Sequence, residues 1–162
     1  QHQWHELIGK LENSGDWDAI DRAAAPAPDA RIAGHFDEID AAFGGETLRD
    51  IWAVLSRSET AFATDTMRSM AANAPLAMAC AVELIHRARA RDNIIEALKN
   101  EYRFVHRIIE QGDFLEGIRA AIIDKDRAPK WHHAGPAEPS LADTTAMLLP
   151  LGAEDLALKE TP

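Results

Sequence analysis

Apolar residues recur at about every third or fourth position along almost the whole chain of 162 residues. This is the spacing of an amphipathic α-helix, in which one face of each turn is buried. No segment shows the alternation of apolar and polar residues, rich in Val, Ile, Thr and aromatic side chains, that is typical of a β-strand. The sequence therefore predicts an all-α fold of about six to eight helices with no sheet.

Proline and glycine residues divide this helical pattern into four parts. Residues 1–22 carry the first helices, and residues 23–34 form a connector rich in Pro and Ala, in which a helix cannot continue. Residues 35–131 are the predicted helical core, and residues 132–162 form a Pro-rich loop with short terminal helices. We therefore expect one core, with a linker before it and a loop-rich tail after it.

Residues 75–91 form the most apolar of the predicted helices. Pro75 suits the first position of a helix, because a proline there loses no N–H group that the helix needs. A helix that is apolar on almost every side is expected to lie buried at the centre of the protein. Cys80 lies within this segment with no adjacent positive residue, so we expect an inert core thiol.

The charge of the chain excludes some classes of partner. With 17 Lys and Arg residues against 27 Asp and Glu residues, the formal net charge is −10. A binder of nucleic acid needs a basic surface that displaces counterions from phosphates, and an anionic membrane surface also attracts basic proteins. No apolar run is long enough to cross a bilayer. We therefore expect a soluble acidic protein that binds neither nucleic acid nor a membrane.

The first residues, the cysteine content and the alanine content indicate how the chain begins, its cellular location and its source. The sequence begins Gln1-His2-Gln3, with no initiator methionine and no signal-peptide pattern, so we expect it to start inside a longer protein. The single cysteine excludes a disulfide framework within the chain, which favours a reducing, cytoplasmic location. The high alanine content points to a bacterial source rich in G and C.

Several polar residues could carry chemistry, and each also has a structural explanation. Asp113 and Glu116 are an acid pair, but an acidic residue followed by Glu three positions later is typical of a capping box at a helix start. We therefore assign both a structural capping role. Tyr102, Arg103 and His106 could line a pocket, or Tyr102 could pack in the core while the other two face water or an acidic residue.

Metal binding is not expected from the histidines. His132 and His133 are adjacent, so their imidazole rings diverge, and the pair His2 and His5 has no third ligand nearby. Hydrolysis at a carbonyl carbon would need hydrogen-bond donors aimed at a developing oxyanion together with a carboxylate. We find no glycine-rich turn that could present such donors, and Gly44-Gly45 is explained as a helix terminator.

Residues 113–131 read DFLEGIRAAIIDKDRAPKW. This segment resembles the C-terminal signature of the enoyl-CoA hydratase/isomerase, or crotonase, superfamily. Its longer form, with Asp-Lys-Asp before Pro-Lys-Trp, resembles the 3-hydroxyisobutyryl-CoA hydrolase branch. Residues 35–43, 74–77, 100–103 and 149–156 are similar to other elements of that branch. The resemblance thus extends over nearly the whole chain.

The resemblance implies that this chain is the helical C-terminal half of such a protein. In the superfamily the substrate-handling half lies earlier and consists of β-β-α units that supply the oxyanion hole and the acidic catalytic residues. Nothing in this chain corresponds to them, so no catalytic residue is assigned here. The expected partners are the missing N-terminal half and further copies of the same protein. The complete protein would use a coenzyme A thioester as substrate in valine breakdown, with no tightly bound cofactor.

Two lysines are candidates for contact with coenzyme A. In crotonase-like enzymes a lysine of the last conserved helix lies near the adenosine phosphates, and Lys125 occupies the matching position. Lys130 is the second candidate. Lys125 has an alternative explanation as a solvated residue that complements the negative end of a helix dipole. Ile122 stands where the superfamily often has an aromatic residue.

Three functions remain open at this point. The first is the C-terminal part of an acyl-CoA thioester hydrolase, which covers the coenzyme A site and supports assembly without being catalytic by itself. The second is the same region of an enoyl-CoA hydratase or isomerase. The spacing from Asp124 to Trp131 and the tail after residue 132 favour the hydrolase. The third is a non-enzymatic helical oligomerisation module, which the surplus of apolar helix faces suggests.

Overall fold

A computed structural model describes residues 2–26, 30 and 32–158, with side chains from Trp4 onward. Residues 27–29 and 31, in the predicted connector, lie outside the described residues. Contacts divide the chain into two compact units, Gln1–Gly34 and His35–Pro162, which are described separately. The finer division of the chain into four parts stays a prediction.

Nine α-helices form the regular structure of the described residues. They are α1 (His2–Ser14), α2 (Asp18–Ala23), α3 (Phe36–Phe43), α4 (Leu48–Leu55), α5 (Ala61–Ala71), α6 (Pro75–Ala90), α7 (Ile94–Gln111), α8 (Phe114–Ile118) and α9 (Leu141–Met147). A π-helical turn, Arg119–Ile123, continues α8, and short 3-10 turns lie at Ala33–His35 and Gly152–Glu154. No strand occurs in the described ranges, so the predicted all-α class is confirmed, with more helices than expected. None of the described helices is both long and apolar enough to span a membrane.

The first unit is a pair of contacting helices, α1 and α2. Ala19 is its buried residue, whereas Trp4 and Trp17 are largely exposed. An open cleft of about 860 Å³ lies between the two helices and is bordered by Trp4, Leu7 and Ile20. The described part of this pair therefore buries little apolar surface of its own.

The second unit begins with a core formed mainly by α4 and α5. Thr47 starts α4 through a capping box: its Oγ1 accepts a hydrogen bond from the Asp50 N–H, and an Asp50 carboxylate oxygen accepts one from the Thr47 N–H. Leu55, at the other end of α4, is 1% exposed. The buried residues of this core are Ala42, Leu48, Ile51, Leu55, Ala63, Met70 and Ala79.

Helix α6 is the centre of the second unit. It contacts α4, α7 and α9, and its first half is buried at Leu76 and Cys80. These two residues form a second core with Met147 and Leu148, against which side chains of α6 and α7 pack. The predicted central position is confirmed for this half of the helix, whereas Ile85 in the second half is exposed.

Cys80 is expected to be unreactive in the folded protein. Its side chain is 0% exposed, and burial raises the pKa of the thiol to about 12, so the nucleophilic thiolate is scarce at neutral pH. An aromatic disulfide reagent should therefore label the chain at once in urea and only slowly under native conditions. A Ser58→Cys variant, whose added thiol lies at an exposed position, should gain one fast-reacting group. Immediate labelling of the native wild-type chain would contradict the prediction.

Three arginines of α6 and α7 hold the segment that follows α9. Arg107 donates from Nη1 to the carbonyl oxygens of Met147 at 3.1 Å and Leu149 at 2.6 Å. Arg87 donates to the Leu148 carbonyl at 3.4 Å, and Arg103 pairs with the Asp155 carboxylate. This segment is therefore bound to the core by polar contacts as well as by the buried Leu148 side chain.

Candidate functional site

The end of the signature segment has an unusual backbone. The Asp124 N–H donates to the Arg119 carbonyl at 2.8 Å, which gives the wide π-helical turn after α8. Such turns are rare in proteins, and those that occur often lie at functional sites. Beyond the turn, Lys125 and Arg127 have φ angles of 56° and 53°, in the left-handed region that residues other than glycine seldom adopt. The Arg127 N–H donates to the Ala120 carbonyl at 3.0 Å and closes the segment back onto the turn.

The Arg119 guanidinium is the centre of this arrangement. Its Nε and Nη2 each lie 2.8 Å from an oxygen of Glu116, a two-point contact between planar groups. Its Nη1 donates to Asp124 at 2.6 Å and to Asp126 at 2.7 Å. One cation therefore binds three carboxylates, two of which belong to the segment with left-handed residues.

The same carboxylates also bind backbone N–H groups of the segment. Glu116 Oε1 accepts from the Lys130 N–H at 2.6 Å, and Asp126 Oδ1 accepts from the Ala128 N–H at 2.9 Å. Hydrogen bonds from Arg119 and from the Lys130 backbone hold the pKa of Glu116 down to about 2. We call residues 124–130, with their contacts to Arg119 and Glu116, the clamped loop.

The Glu116 contacts predict an acid-sensitive step in stability. A carboxyl group whose pKa is lowered on folding stabilises the protein fully above its ordinary value of 4.5, and this contribution is lost as the pH falls towards about 2. In urea unfolding series across this window, the difference between wild type and Glu116→Gln should shrink as the pH falls. Glu110→Gln, at an exposed position on α7, is the matched control and should follow wild type. A Glu116→Gln difference that stays constant with pH would contradict this assignment.

The capping box predicted for Asp113 and Glu116 is not formed. Asp113 precedes α8, but its side chain makes no cap hydrogen bond. Its Oδ1 accepts instead from the His132 N–H at 2.8 Å, and Glu116 binds Arg119. A charge-assisted bond to a guanidinium is stronger than a bond to a neutral N–H group. Glu116 therefore pairs with Arg119 rather than with the backbone N–H of Asp113. The two residues join α8 to the segment after it.

The structure places Lys125 and Lys130 on the clamped loop. Both side chains are exposed, as is that of Arg127, and no described carboxylate lies within ion-pair distance of these three cations. Trp131 follows the loop and lies against Gly117, where an added Cβ would be 3.5 Å from the indole ring. The loop therefore pairs its acidic residues with Arg119 and leaves its cations exposed to solvent, where an anionic ligand can reach them. The contacts of Lys125 and Lys130 with coenzyme A stay predictions.

Tyr102, Arg103 and His106 do not share one pocket. Arg103 pairs with Asp155, and His106 Nε2 lies 3.6 Å from a Glu154 oxygen, so both face acidic residues. Tyr102 is 36% exposed, so its expected place in the core is not observed.

No group of three His, Cys, Asp or Glu side chains within the described ranges could hold a metal ion. His132 and His133 are edge to face at 5.1 Å, and His133 lies 3.7 Å from Asp143. The side chain of His2 lies outside the described residues. Arg119 is a residue of this site that no sequence motif singles out, although its spacing from Glu116 matches that of neighbours on one helix face.

The chain matches known proteins over most of its length. A family model described as enoyl-CoA hydratase/isomerase matches residues 1–148. The mitochondrial 3-hydroxyisobutyryl-CoA hydrolase of Mus musculus is 30% identical over 122 residues, which are 75% of this chain and 31% of that protein. The same enzyme of Homo sapiens is 29% identical over the same share. The chain thus spans about a third of the length of these curated relatives.

Two solved structures have a similar fold. A crystal structure of an enoyl-CoA hydratase from Rhodobacter sphaeroides 2.4.1 matches 97% of this chain and 45% of its own, with a TM-score of 0.78 and 39% identity. A carnitinyl-CoA dehydratase from Mycobacterium thermoresistibile matches 93% of this chain and 43% of its own, with a TM-score of 0.79 and 27% identity. With the family model covering most of the chain, these matches show that it belongs to the enoyl-CoA hydratase/isomerase family of the crotonase superfamily.

Proposed function

We propose that this chain is the helical C-terminal part of an acyl-CoA thioester hydrolase that acts on 3-hydroxyisobutyryl-CoA in valine catabolism. The observation that carries the proposal is the 30% identity, over 75% of the chain, to a protein of that name. The chain spans less than half the length of the proteins it matches. On this proposal the oxyanion hole and the proton-transferring carboxylates belong to residues encoded upstream, and this chain by itself is inactive.

The chain's own contribution is to cover the coenzyme A site. Lys125 lies exposed on the clamped loop, with no described carboxylate within ion-pair distance, and its ammonium group would meet a phosphate of the adenosine end of coenzyme A. Lys130, on the same loop, is the second candidate. Ammonium groups bind phosphate oxygens as point charges, so an exposed lysine in a fixed backbone position suits this role. Coenzyme A is the substrate's carrier group here, and no tightly bound cofactor is needed.

An exposed apolar face on α7 supports a partner for this chain. The residues of this face repeat at helical spacing and are between 36% and 70% exposed. They are Ile94, Leu98, Tyr102, Val105 and Ile109. The face is about 22 Å long, from a rise of about 1.5 Å per residue. A water-exposed apolar stripe of this length favours burial against another surface. We propose that the upstream half of the same protein covers it and that the complete protein forms homo-oligomers.

The second enzymatic candidate is an enoyl-CoA hydratase or isomerase. The observation in its favour is the 39% identity to the structure described as an enoyl-CoA hydratase, which exceeds the identity to the hydrolases. The full-length protein decides between the two. Release of free thiol from 3-hydroxyisobutyryl-CoA supports the hydrolase, whereas loss of the conjugated double bond of an enoyl-CoA without thiol release supports the hydratase. Thiol release by residues 1–162 alone would overturn the assignment of catalysis to the upstream part.

A non-enzymatic oligomerisation module is the third candidate, and the same apolar face of α7 favours it. Light scattering of purified residues 1–162 tests it together with the proposed partner. Self-association that Leu98→Glu and Val105→Glu abolish would support an apolar docking face. If the chain is a monomer and binds no dye specific for apolar surfaces, the proposal that a partner covers the apolar face of α7 is contradicted. Turnover of neither thioester by the full-length protein would leave the module as the better account.

The proposed location is the cytoplasm of a bacterium. It rests on the single cysteine and on the alanine-rich composition of the chain. The curated relatives named above are mitochondrial proteins. Fractionation of the source cells, with an antibody against this chain, tests the location directly.

A further inference from the structure

We propose that Arg119 is a positioning residue for coenzyme A, and that Arg127 is a second phosphate-binding cation beside Lys125. The inference rests on the proposed function and names residues to which neither the sequence pattern nor the resemblance gives a role. Arg119 does not meet the ligand in this proposal. It acts by holding the backbone of the clamped loop, which carries Lys125 and Arg127, in the conformation with two left-handed residues.

The backbone of the clamped loop is held in an unfavourable conformation. Lys125 and Arg127 both have left-handed φ angles, which cost roughly 1 kcal/mol or more for a residue with a Cβ. Residues persist in such conformations where surrounding contacts hold them. The contacts here are those of Asp124 and Asp126, which flank Lys125 and both bind the Arg119 guanidinium.

The charged residues of the loop differ in their partners. Acidic and basic residues alternate from Asp124 to Arg127. The structure pairs the acidic ones with Arg119, whereas no described carboxylate lies within ion-pair distance of the basic ones. Asp124 and Asp126, the carboxylates adjacent to Lys125 in the sequence, are therefore engaged by Arg119. Two cations separated by one residue, with no ion-pair partner among the residues that the structure describes, suit a ligand that carries neighbouring phosphates, as the 3′-phosphorylated ADP portion of coenzyme A does.

The guanidinium of Arg119 makes a set of contacts that a lysine could not make. Its planar fork contacts Glu116 with two nitrogens and still reaches Asp124 and Asp126 through the third. A lysine has the same charge but lacks this fixed geometry. If Arg119 acted through its charge alone, Arg119→Lys would be harmless, and removal of the two aspartates would strengthen phosphate binding.

The test compares two thioesters in the full-length protein: the acyl-CoA and the matching acyl-pantetheine, which lacks the nucleotide phosphates. Arg119→Gln should raise KM for the acyl-CoA about tenfold, with kcat and the KM for acyl-pantetheine unchanged. Arg119→Lys should retain most of this defect. Lys125→Ala and Arg127→Ala, at exposed positions, should each give the same selective rise. Arg57→Gln, which removes an exposed charge on the loop after α4, is the matched control and should behave as wild type.

The double variant Asp124→Ala/Asp126→Ala decides between positioning and charge. It leaves Arg119 and Glu116 in place, so it tests the clamp without removing the more buried groups. Positioning predicts a raised KM for the acyl-CoA, although two negative charges next to Lys125 have been removed. A lowered KM would overturn the positioning role, and an Arg127→Ala variant with unchanged KM would overturn the second phosphate contact. A wild-type protein that turns over neither thioester would reject the proposed function instead.

Discussion

Replacing Leu148 by Ala is expected to lower the free energy of unfolding by about 3 kcal/mol. The side chain is 1% exposed and follows α9, where it enters the core between α6 and α7. Truncation removes apolar contacts and leaves a cavity, because the neighbouring helices cannot collapse into the space. Arg87 and Arg107 bind the surrounding carbonyl groups and hold the backbone in place, which limits relaxation further.

The neighbouring residue provides the control for this substitution. Leu149 is 50% exposed, and Leu149→Ala removes the same atoms from a position next along the chain. Its expected effect is about 0.5 kcal/mol or less. Urea unfolding followed by circular dichroism measures both variants. Equal losses for the two would show that the segment after α9 is not packed against α6 and α7 as described.

Helix positions could be predicted from the sequence where the signals are local. The segment predicted at residues 75–91 corresponds to α6, Pro75–Ala90, because Pro75 marks the first turn and the apolar pattern marks the rest. Thr47 likewise marks the start of α4. These signals depend on residues within one turn of each other, so no knowledge of the tertiary structure is required.

The candidate site could be predicted only in part. Lys125 could be named as a candidate because the sequence resembles a known family. The contacts that fix its backbone depend on Arg119 and on the π-helical turn, which changes the hydrogen-bond spacing after α8. Asp113 has a cap-like sequence, yet its carboxylate meets the His132 N–H, 19 residues away. A local pattern cannot show such a partner, because His132 lies beyond the clamped loop, whose course depends on the contacts of Arg119 and Glu116.

A glycine is required at position 112 because of close packing and not because of its backbone conformation. A glycine after a helix is often there because it adopts a left-handed conformation, but the φ and ψ of Gly112 are −126° and −169°, an extended backbone. The requirement comes instead from a close approach. A Cβ at this position would lie 2.9 Å from Cγ1 and 3.0 Å from the carbonyl oxygen of Ile108.

Gly112→Ala should therefore destabilise the chain by about 2 kcal/mol, the cost of an overpacked contact that involves backbone atoms. Relief requires the junction of α7 and α8 to move, and this junction also sets the Asp113 carboxylate that accepts from His132. We expect faster hydrogen exchange at the His132 amide together with a lower urea midpoint. Gly135→Ala is the matched control, since no atom lies within 4 Å of its added Cβ, and it should leave stability unchanged or slightly raised. If both variants were neutral, Ile108 would have to yield without moving α8, and the rigid junction would be disproved.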